Sequence, residues 1–162
     1  MTISVEIINQ LSDNYSYLIS GNKDNSSIII DPAESDKILN VLQEKKLNLN
    51  YIFITHHHSD HTSGVADLVR AYPEVKVFSP SELNSISVNV ISDSNKITTN
   101  LNEFEIIHTP GHTLDHIVLC DLKNNLLFVG DVLFRLGCGR VFEGTLEQMH
   151  SSLIKLLDLS DR

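Results

Sequence analysis

The sequence has 162 residues, of which 41% are hydrophobic and 20% are charged, and its formal net charge is −9. This composition predicts one globular domain over residues 1–162 and excludes collagen-like and intrinsically disordered chains. The acidic balance argues against nucleic acids and anionic membranes as partners, and no apolar run is long enough to span a bilayer.

The first half of the chain is predicted to alternate between strands and helices. Alternating or continuous apolar residues predict strands over residues 3–7, 15–19, 27–30 and 51–54. Helical spacing of apolar side chains predicts helices over residues 34–46 and 64–72.

The second half is predicted to consist of strands followed by one helix. The strands are expected over residues 75–78, 88–91, 104–107, 117–120 and 126–129. The helix is expected over residues 145–157, where Thr145 and Gln148 form a capping-box pattern at its start. Strands with interspersed helices predict a layered α/β or α+β domain.

Cysteine usage bears on the compartment in which the protein works. The only cysteines are Cys120 and Cys138, and both are predicted to lie in the core. A disulfide framework is therefore not expected, and a reducing cytoplasm is the default. The first residues lack a basic segment followed by an apolar run, so no signal peptide is expected. We expect a cytoplasmic protein that acts as a monomer.

A histidine-rich segment follows the predicted strand 51–54 directly. It contains His56, His58, Asp60 and His61, four side chains able to bind metal within six residues. Imidazole and carboxylate ligands suit Zn, Fe or Mn. His57 alternates out of phase with its neighbours, so we expect it to point away and play a structural or supporting role.

Two more candidate ligands follow predicted strands. His112 comes after the sharp turn that Pro110 and Gly111 predict, and Asp131 comes after an apolar strand and Gly130. A carboxylate at such a position can bridge two metal ions about 3.5–4 Å apart. We assign no metal to the remaining histidines, His108, His116 and His150.

These motifs resemble those of the metallo-β-lactamase superfamily. The shared pattern is Thr-His-His-His-Ser-Asp-His over residues 55–61, Pro-Gly-His over residues 110–112 and Gly-Asp over residues 130–131, and the longer run Gly-Asp-Val-Leu-Phe over residues 130–134 carries a closer similarity. Within the superfamily the chain is similar to the glyoxalase II family of hydroxyacylglutathione hydrolases. That closer similarity lies in Leu-Ser-Asp-Asn-Tyr-Ser-Tyr-Leu over residues 11–18 and Gly-Cys-Gly-Arg-Val-Phe-Glu-Gly-Thr over residues 137–145.

The resemblance implies an αββα sandwich with a binuclear metal site at one edge. One metal would be held by His56, His58 and His112, and the other by Asp60 and His61. Asp131 would bridge the two ions, which we expect to be Zn, with Fe or Mn as alternatives.

The resemblance also implies the reaction and its substrate. The expected activity is hydrolysis of the thioester S-D-lactoylglutathione to D-lactate and glutathione by a metal-bound hydroxide, with Asp60 or Asp131 as the catalytic group that accepts its proton. Arg140 falls where the family has a basic residue that contacts glutathione. Phe142 falls at a second substrate-binding position, where some members have Tyr and others Phe.

The chain departs from the family in two places. Members have a further metal-binding His in a Cys-Gly-His-Glu-Tyr segment and then a helical C-terminal region, whereas this sequence stops at Ser160-Asp161-Arg162, before both. We favour a fragment of a longer protein over a naturally shortened, impaired member. Ser63 also stands where members commonly have Gly.

Three other functions remain open on the sequence alone. A persulfide dioxygenase would share the metal motif and the Gly-Cys-Gly-Arg stretch but use one iron and oxygen. Another hydrolase of the superfamily would leave residues 11–18 and 141–145 unexplained. A degenerate metal-binding domain would bind about one metal per chain and show no turnover.

Overall fold

The computed structural model describes residues 2–22 and 25–159. Within those ranges the chain forms ten strands, four α-helices and one 3₁₀ turn. The strands are β1 (Ile3–Gln10), β2 (Asn14–Gly21), β3 (Ser26–Ile30), β4 (Asn48–Phe53), β5 (Lys76–Ser79), β6 (Asn89–Val90), β7 (Lys96–Thr98), β8 (Glu103–His108), β9 (Ile117–Asp121) and β10 (Leu126–Phe128). The helices are α1 (Asp36–Glu44), α2 (Ser59–Thr62), α3 (Val65–Ala71) and α4 (Leu146–Leu157), and the 3₁₀ turn is Leu122–Asn124.

The strands form two sheets that differ in direction. The first has the order β1-β2-β3-β4-β5-β6, antiparallel from β1 to β3 and parallel from β3 to β6. The second has the order β10-β9-β8-β7 and is antiparallel throughout. The parallel pairing of β3 with β4 brings the segments that follow them, at Asp31 and Thr55, to the same edge of the first sheet.

Three apolar clusters separate four layers. One packs α1 and α3 on the first sheet, with Ile38, Leu42 and Leu68 buried. The second lies between the sheets and contains Phe53 and Phe104, whose rings meet edge to face with centroids 5.0 Å apart. The third packs α4 on the second sheet. The predicted αββα sandwich is therefore confirmed.

The predicted elements agree with the structure in number and kind over most of the chain. The capping box of α4 is present: the Thr145 hydroxyl accepts from the Gln148 backbone N–H, and the Gln148 side chain accepts from the Thr145 N–H. The sequence analysis missed β7 and the one-turn helix α2, which are too short for periodicity to reveal. No helix in residues 2–22 and 25–159 has the length and apolar character needed to cross a membrane.

One prediction about the cysteines is right and the other is wrong. Cys120 is buried in β9, whereas Cys138 is exposed. Cys138 lies in the segment between β10 and α4, where Leu136 is 96% exposed, so this stretch follows the surface despite its small residues. The expectations about Met1 and about Ser160, Asp161 and Arg162 concern positions outside the described residues.

Candidate metal centre

The candidate ligands gather at one edge of the sandwich. The segment after β4 carries His56, His58, Asp60 and His61, and the last two lie in α2. His112 lies between β8 and β9, and Asp131 follows β10. A hydrogen bond of 2.9 Å from the Ile117 N–H to the Thr55 carbonyl oxygen ties the two sheets together at this edge.

Three imidazoles form a compact triad. His56 Nε2 lies 3.1 Å from His58 Nδ1, and His112 Nε2 lies 3.0 Å from the same atom. Ligand atoms about 3.3 Å apart surround a tetrahedral ion at bond lengths of about 2.0–2.1 Å. The spacing and the imidazole donors therefore fit a divalent transition metal.

Neighbouring groups orient two of these rings. His56 Nδ1 lies 3.0 Å from the hydroxyl oxygen of Thr55, and that hydroxyl donates to Asp31 Oδ2 at 2.7 Å. His112 Nδ1 donates to the Arg140 carbonyl oxygen at 2.7 Å. A hydrogen bond from Nδ1 leaves the Nε2 lone pair free for a metal and fixes the ring orientation.

Asp131 joins the triad to a second group of side chains. Its Oδ2 lies 3.3 Å from His112 Nε2, and its Oδ1 lies 3.3 Å from His61 Nε2. Its backbone N–H donates to His116 Nε2 at 3.1 Å. Gly130 has φ +47°, and a Cβ there would lie 2.6 Å from the Thr55 hydroxyl oxygen and 2.7 Å from His116 Nε2. Only glycine lets the chain approach closely enough to place Asp131.

The second group is more open. His61 Nδ1 lies 3.0 Å from Asp31 Oδ2, while His61 Nε2 is buried and has no hydrogen-bond partner among the described residues. Asp60 Oδ2 lies 3.7 Å from that nitrogen and accepts from the Asn14 side-chain amide at 2.9 Å. A buried, unpartnered nitrogen between two carboxylates is a costly arrangement that a bound cation would satisfy.

Burial and charge set the protonation of the cluster. Burial lowers the pKa of His56 and of His58, so both rings are neutral, which is the form that binds metal. Burial opposes charge on His61, but the Asp31 and Asp131 carboxylates together raise its pKa to about 10. Burial also opposes charge on Asp131, but the neighbouring imidazoles of His61, His112 and His116 together keep its pKa low. Metal binding through His61 Nε2 would have to displace a proton.

Two cavities reach the cluster, and both are lined in part by Asp60 and Asp131. One of about 410 Å³ is lined by His58, Ser59, Asp60, His112, Asp131 and Phe142. The Phe142 ring centroid lies 5.6 Å from that of His58 and 5.3 Å from that of His112. The Arg140 guanidinium lies 5.5 Å from the Phe142 centroid, close enough for a cation–π contact. The other cavity, of about 360 Å³, reaches His61 and is bordered by Tyr15, Tyr17 and Arg135.

The structure brings together all six predicted ligands and places both predicted substrate contacts beside them. Sequence reasoning missed Asp31 and Asn14, which hold His61 and Asp60. Asp31 ends an apolar strand just as Asp131 does, and that repeated pattern was the available signal. His57 lies outside the triad, as expected, and contacts Asp115 and Glu143 instead.

Comparison with known proteins agrees with this architecture. The sequence profile of the metallo-beta-lactamase superfamily matches residues 11–89 and 84–161. The chain is similar to hydroxyacylglutathione hydrolase from Vibrio cholerae serotype O1, with 42% identity over 98% of this chain and 62% of the relative. It is also similar to hydroxyacylglutathione hydrolase from Pectobacterium atrosepticum, with 41% identity over 93% of this chain and 59% of the relative.

A solved structure shows the same fold. The crystal structure of BLEG-1 B3 metallo-beta-lactamase superposes with a TM-score of 0.82 at 22% identity, covering 98% of this chain and 87% of that one. The present chain spans about 60% of the length of the curated relatives it matches. From its profile match, its sandwich and its strand-end histidines, the chain belongs to the metallo-beta-lactamase superfamily.

Proposed function

We propose that the protein hydrolyses 2-hydroxyacylglutathione thioesters, with S-D-lactoylglutathione as substrate and D-lactate and glutathione as products. The observation that supports this proposal most directly is the His triad, which Asp131 connects to the second group formed by His61 and Asp60. It occurs in a chain 42% identical, over 98% of its length, to a hydroxyacylglutathione hydrolase. We infer enzymatic activity for the protein as its cell makes it.

The proposed metal site holds two divalent ions, which we take to be Zn, with Fe or Mn as the alternatives. His56, His58 and His112 would hold one ion, Asp60 and His61 would hold the other, and Asp131 would contribute to both. Ions bound there supply Lewis acidity and lower the pKa of a coordinated water.

The two carboxylates have different parts in the proposed reaction. Asp131 is pinned between His61 and His112 and has a low pKa, so it serves mainly as a ligand. Asp60 has a side chain 42% exposed, and Asn14 holds one of its oxygens. It can therefore accept the proton of the attacking water at the cavity surface. As the new C–O bond forms and the C–S bond breaks, that proton passes to the departing thiolate.

Substrate binding is proposed on the side of Phe142. Its exposed ring offers an apolar surface beside His58 and His112, and it lacks the hydroxyl that Tyr would supply. Arg140 stacks on that ring and offers a positive charge to the carboxylates of glutathione. In a chain of net charge −9, such a local cation is needed to attract an anionic thioester. We further propose a single catalytic domain acting as a cytoplasmic monomer.

The test uses the protein as its cell makes it, loaded with Zn²⁺. Thiol release from S-D-lactoylglutathione is followed, and bound metal per chain is measured on the same sample. Turnover at about two metals per chain supports the proposal, and His150→Gln on the exposed face of α4 serves as a matched control. Two bound metals without thiol release would contradict it. Oxygen uptake with glutathione persulfide would indicate a persulfide dioxygenase. One bound metal per chain without turnover would indicate a degenerate metal-binding domain.

A further inference from the structure

A second histidine network lies beside the candidate metal centre. His57 Nδ1 lies 2.9 Å from Asp115 Oδ1, and His57 Nε2 lies 3.1 Å from Glu143 Oε1. Asp115 also accepts hydrogen bonds from the Thr113 hydroxyl at 2.7 Å and the Ser81 hydroxyl at 2.8 Å. Asp115 is thus a firmly held acceptor that fixes one nitrogen of His57.

This arrangement prepares His57 as a ligand. When Nδ1 donates its hydrogen to a carboxylate, Nε2 of a neutral imidazole carries a lone pair, as in carboxylate–histidine–metal triads. Here Nε2 faces a second carboxylate oxygen, Glu143 Oε1. The 3.1 Å between the two atoms is close to the separation of two ligands on one tetrahedral ion.

A third donor lies close to this pair. A ring nitrogen of His58 lies within 4.8 Å of the ligand atoms of His57 and Glu143. The side chains of His57 and Glu143 are 39% and 36% exposed, so solvent ions can reach them and they can adjust. Glu143 is held from its other oxygen, which accepts from the Leu114 N–H at 2.9 Å.

We propose that His57 and Glu143, with His58 at its edge, form an auxiliary divalent-cation site next to the proposed binuclear centre. Imidazole and carboxylate donors select Zn²⁺ and similar transition metals over Mg²⁺. With two direct ligands and water at the remaining positions, the site binds more weakly than the His triad. A cation there replaces the His57–Glu143 contact and joins the segment between β4 and α2 to the segment before α4.

Equilibrium dialysis against rising Zn²⁺ tests the site. The wild-type protein as its cell makes it should reach a first plateau at low Zn²⁺ and then bind one further equivalent per chain. His57→Gln and Glu143→Gln should keep the first plateau and lose that further equivalent. Gln at position 143 retains an oxygen for the Leu114 N–H. Mg²⁺ should give no further step.

Matched controls separate the site from general surface binding. His150→Gln and Glu147→Gln change an exposed histidine and an exposed carboxylate on α4, and both should still bind the further equivalent. Asp115→Asn should keep it with affinity about 10–100-fold weaker. A wild type that never exceeds its first plateau, or a further equivalent that persists in both site variants, would overturn the proposal.

A measurement on the wild type covers the case in which a variant fails to fold. While the further equivalent of Zn²⁺ binds, histidine NMR should show a shift of the Nε2 signal of His57. An unchanged signal would contradict the proposed site. Neither measurement depends on thioester hydrolysis. The proposed auxiliary site and the proposed function can therefore be contradicted or supported independently of each other.

Discussion

The two sides of Asp131 are built differently. On one side His56 and His112 each lie within hydrogen-bond distance of His58, and neighbouring groups orient two of the three rings. On the other side a single imidazole, His61, faces an Asp60 whose side chain is 42% exposed. The imidazoles of the first side are already arranged for an ion in its absence, whereas the second side has fewer donor atoms and is more exposed to solvent. We therefore expect the triad to bind its metal more tightly than the second group.

Removing His112 should break the stronger side and have the largest effect. Removing a residue that only hydrogen-bonds to a metal ligand lowers metal affinity or activity by about 10–100-fold. Removing a direct ligand should therefore lower them by at least about 100-fold. We expect His112→Ala to lower kcat/KM by that factor or more and to lose the more tightly bound ion. The fall in kcat/KM is measured with a thioester hydrolysis assay, and the loss of the ion is measured as metal content per chain. Full metal content would show that His112 is not a ligand.

Asp31→Asn should weaken the other side selectively. The Asp31 carboxylate accepts from the Thr55 N–H at 2.8 Å and the Thr55 hydroxyl at 2.7 Å, and it lies 3.0 Å from His61 Nδ1. An Asn side chain has an NH₂ group in place of one carboxylate oxygen, so it cannot accept hydrogen bonds at both positions. We expect the second ion to bind about 10–100-fold more weakly while the first is retained. The metal-free protein should lose about 1–3 kcal/mol in its free energy of unfolding. Equal weakening of both ions would argue against two distinct sides.

A pair of glycine substitutions tests how rigidly the two sides are joined. A Cβ at Gly139 would overlap the Asp131 carbonyl oxygen and lie 3.0 Å from His112 Nδ1, whereas a Cβ at Gly137 would meet no atom of the described part of the chain within 4 Å. Gly139→Ala should therefore cost about 1–3 kcal/mol in unfolding free energy, because overpacking displaces backbone. Gly137→Ala should change it by less than about 1 kcal/mol. Thermal unfolding of the two variants, measured side by side, decides whether this close approach is needed.

Arg140→Ala should give the smallest change and act on binding. The backbone carbonyl that orients His112 remains, and only the guanidinium above Phe142 is lost. One hydrogen bond to a charged group is worth about 1.5 kcal/mol, so KM for the thioester should rise about tenfold with little change in kcat. Steady-state kinetics on the protein as its cell makes it provides the measurement. An unchanged KM would remove Arg140 from the substrate site.

Local patterns predicted a layered α/β domain and candidate ligands after its strands, because His56 and Asp131 follow apolar runs and His112 follows a strand and a sharp turn. The resemblance to the metallo-β-lactamase superfamily predicted the αββα sandwich and the gathering of those residues at one edge. The cap at Thr145 was equally local, since its partner lies three residues away.

The missed and wrong predictions involve contacts between distant residues. Asp31 meets His61 across 30 residues, and His57 meets Asp115 across 58, so neither partnership is visible in a short window. Cys138 was predicted to be a small core residue, yet its side chain is exposed. Periodicity also gives little information on elements as short as α2.

The wide spacing of the ligands along the chain has a consequence for folding. Three of the imidazoles come from residues 56–61, but their partners come from residues 112 and 131, on the far sheet. An unfolded chain can hold a metal ion loosely through the local histidines, so added metal stabilises the native state by less than its native affinity implies. Full coordination requires the two sheets to have closed, a slow non-local event. Metal should therefore slow unfolding far more than it speeds folding, and a chelator should shorten the lifetime of the folded protein.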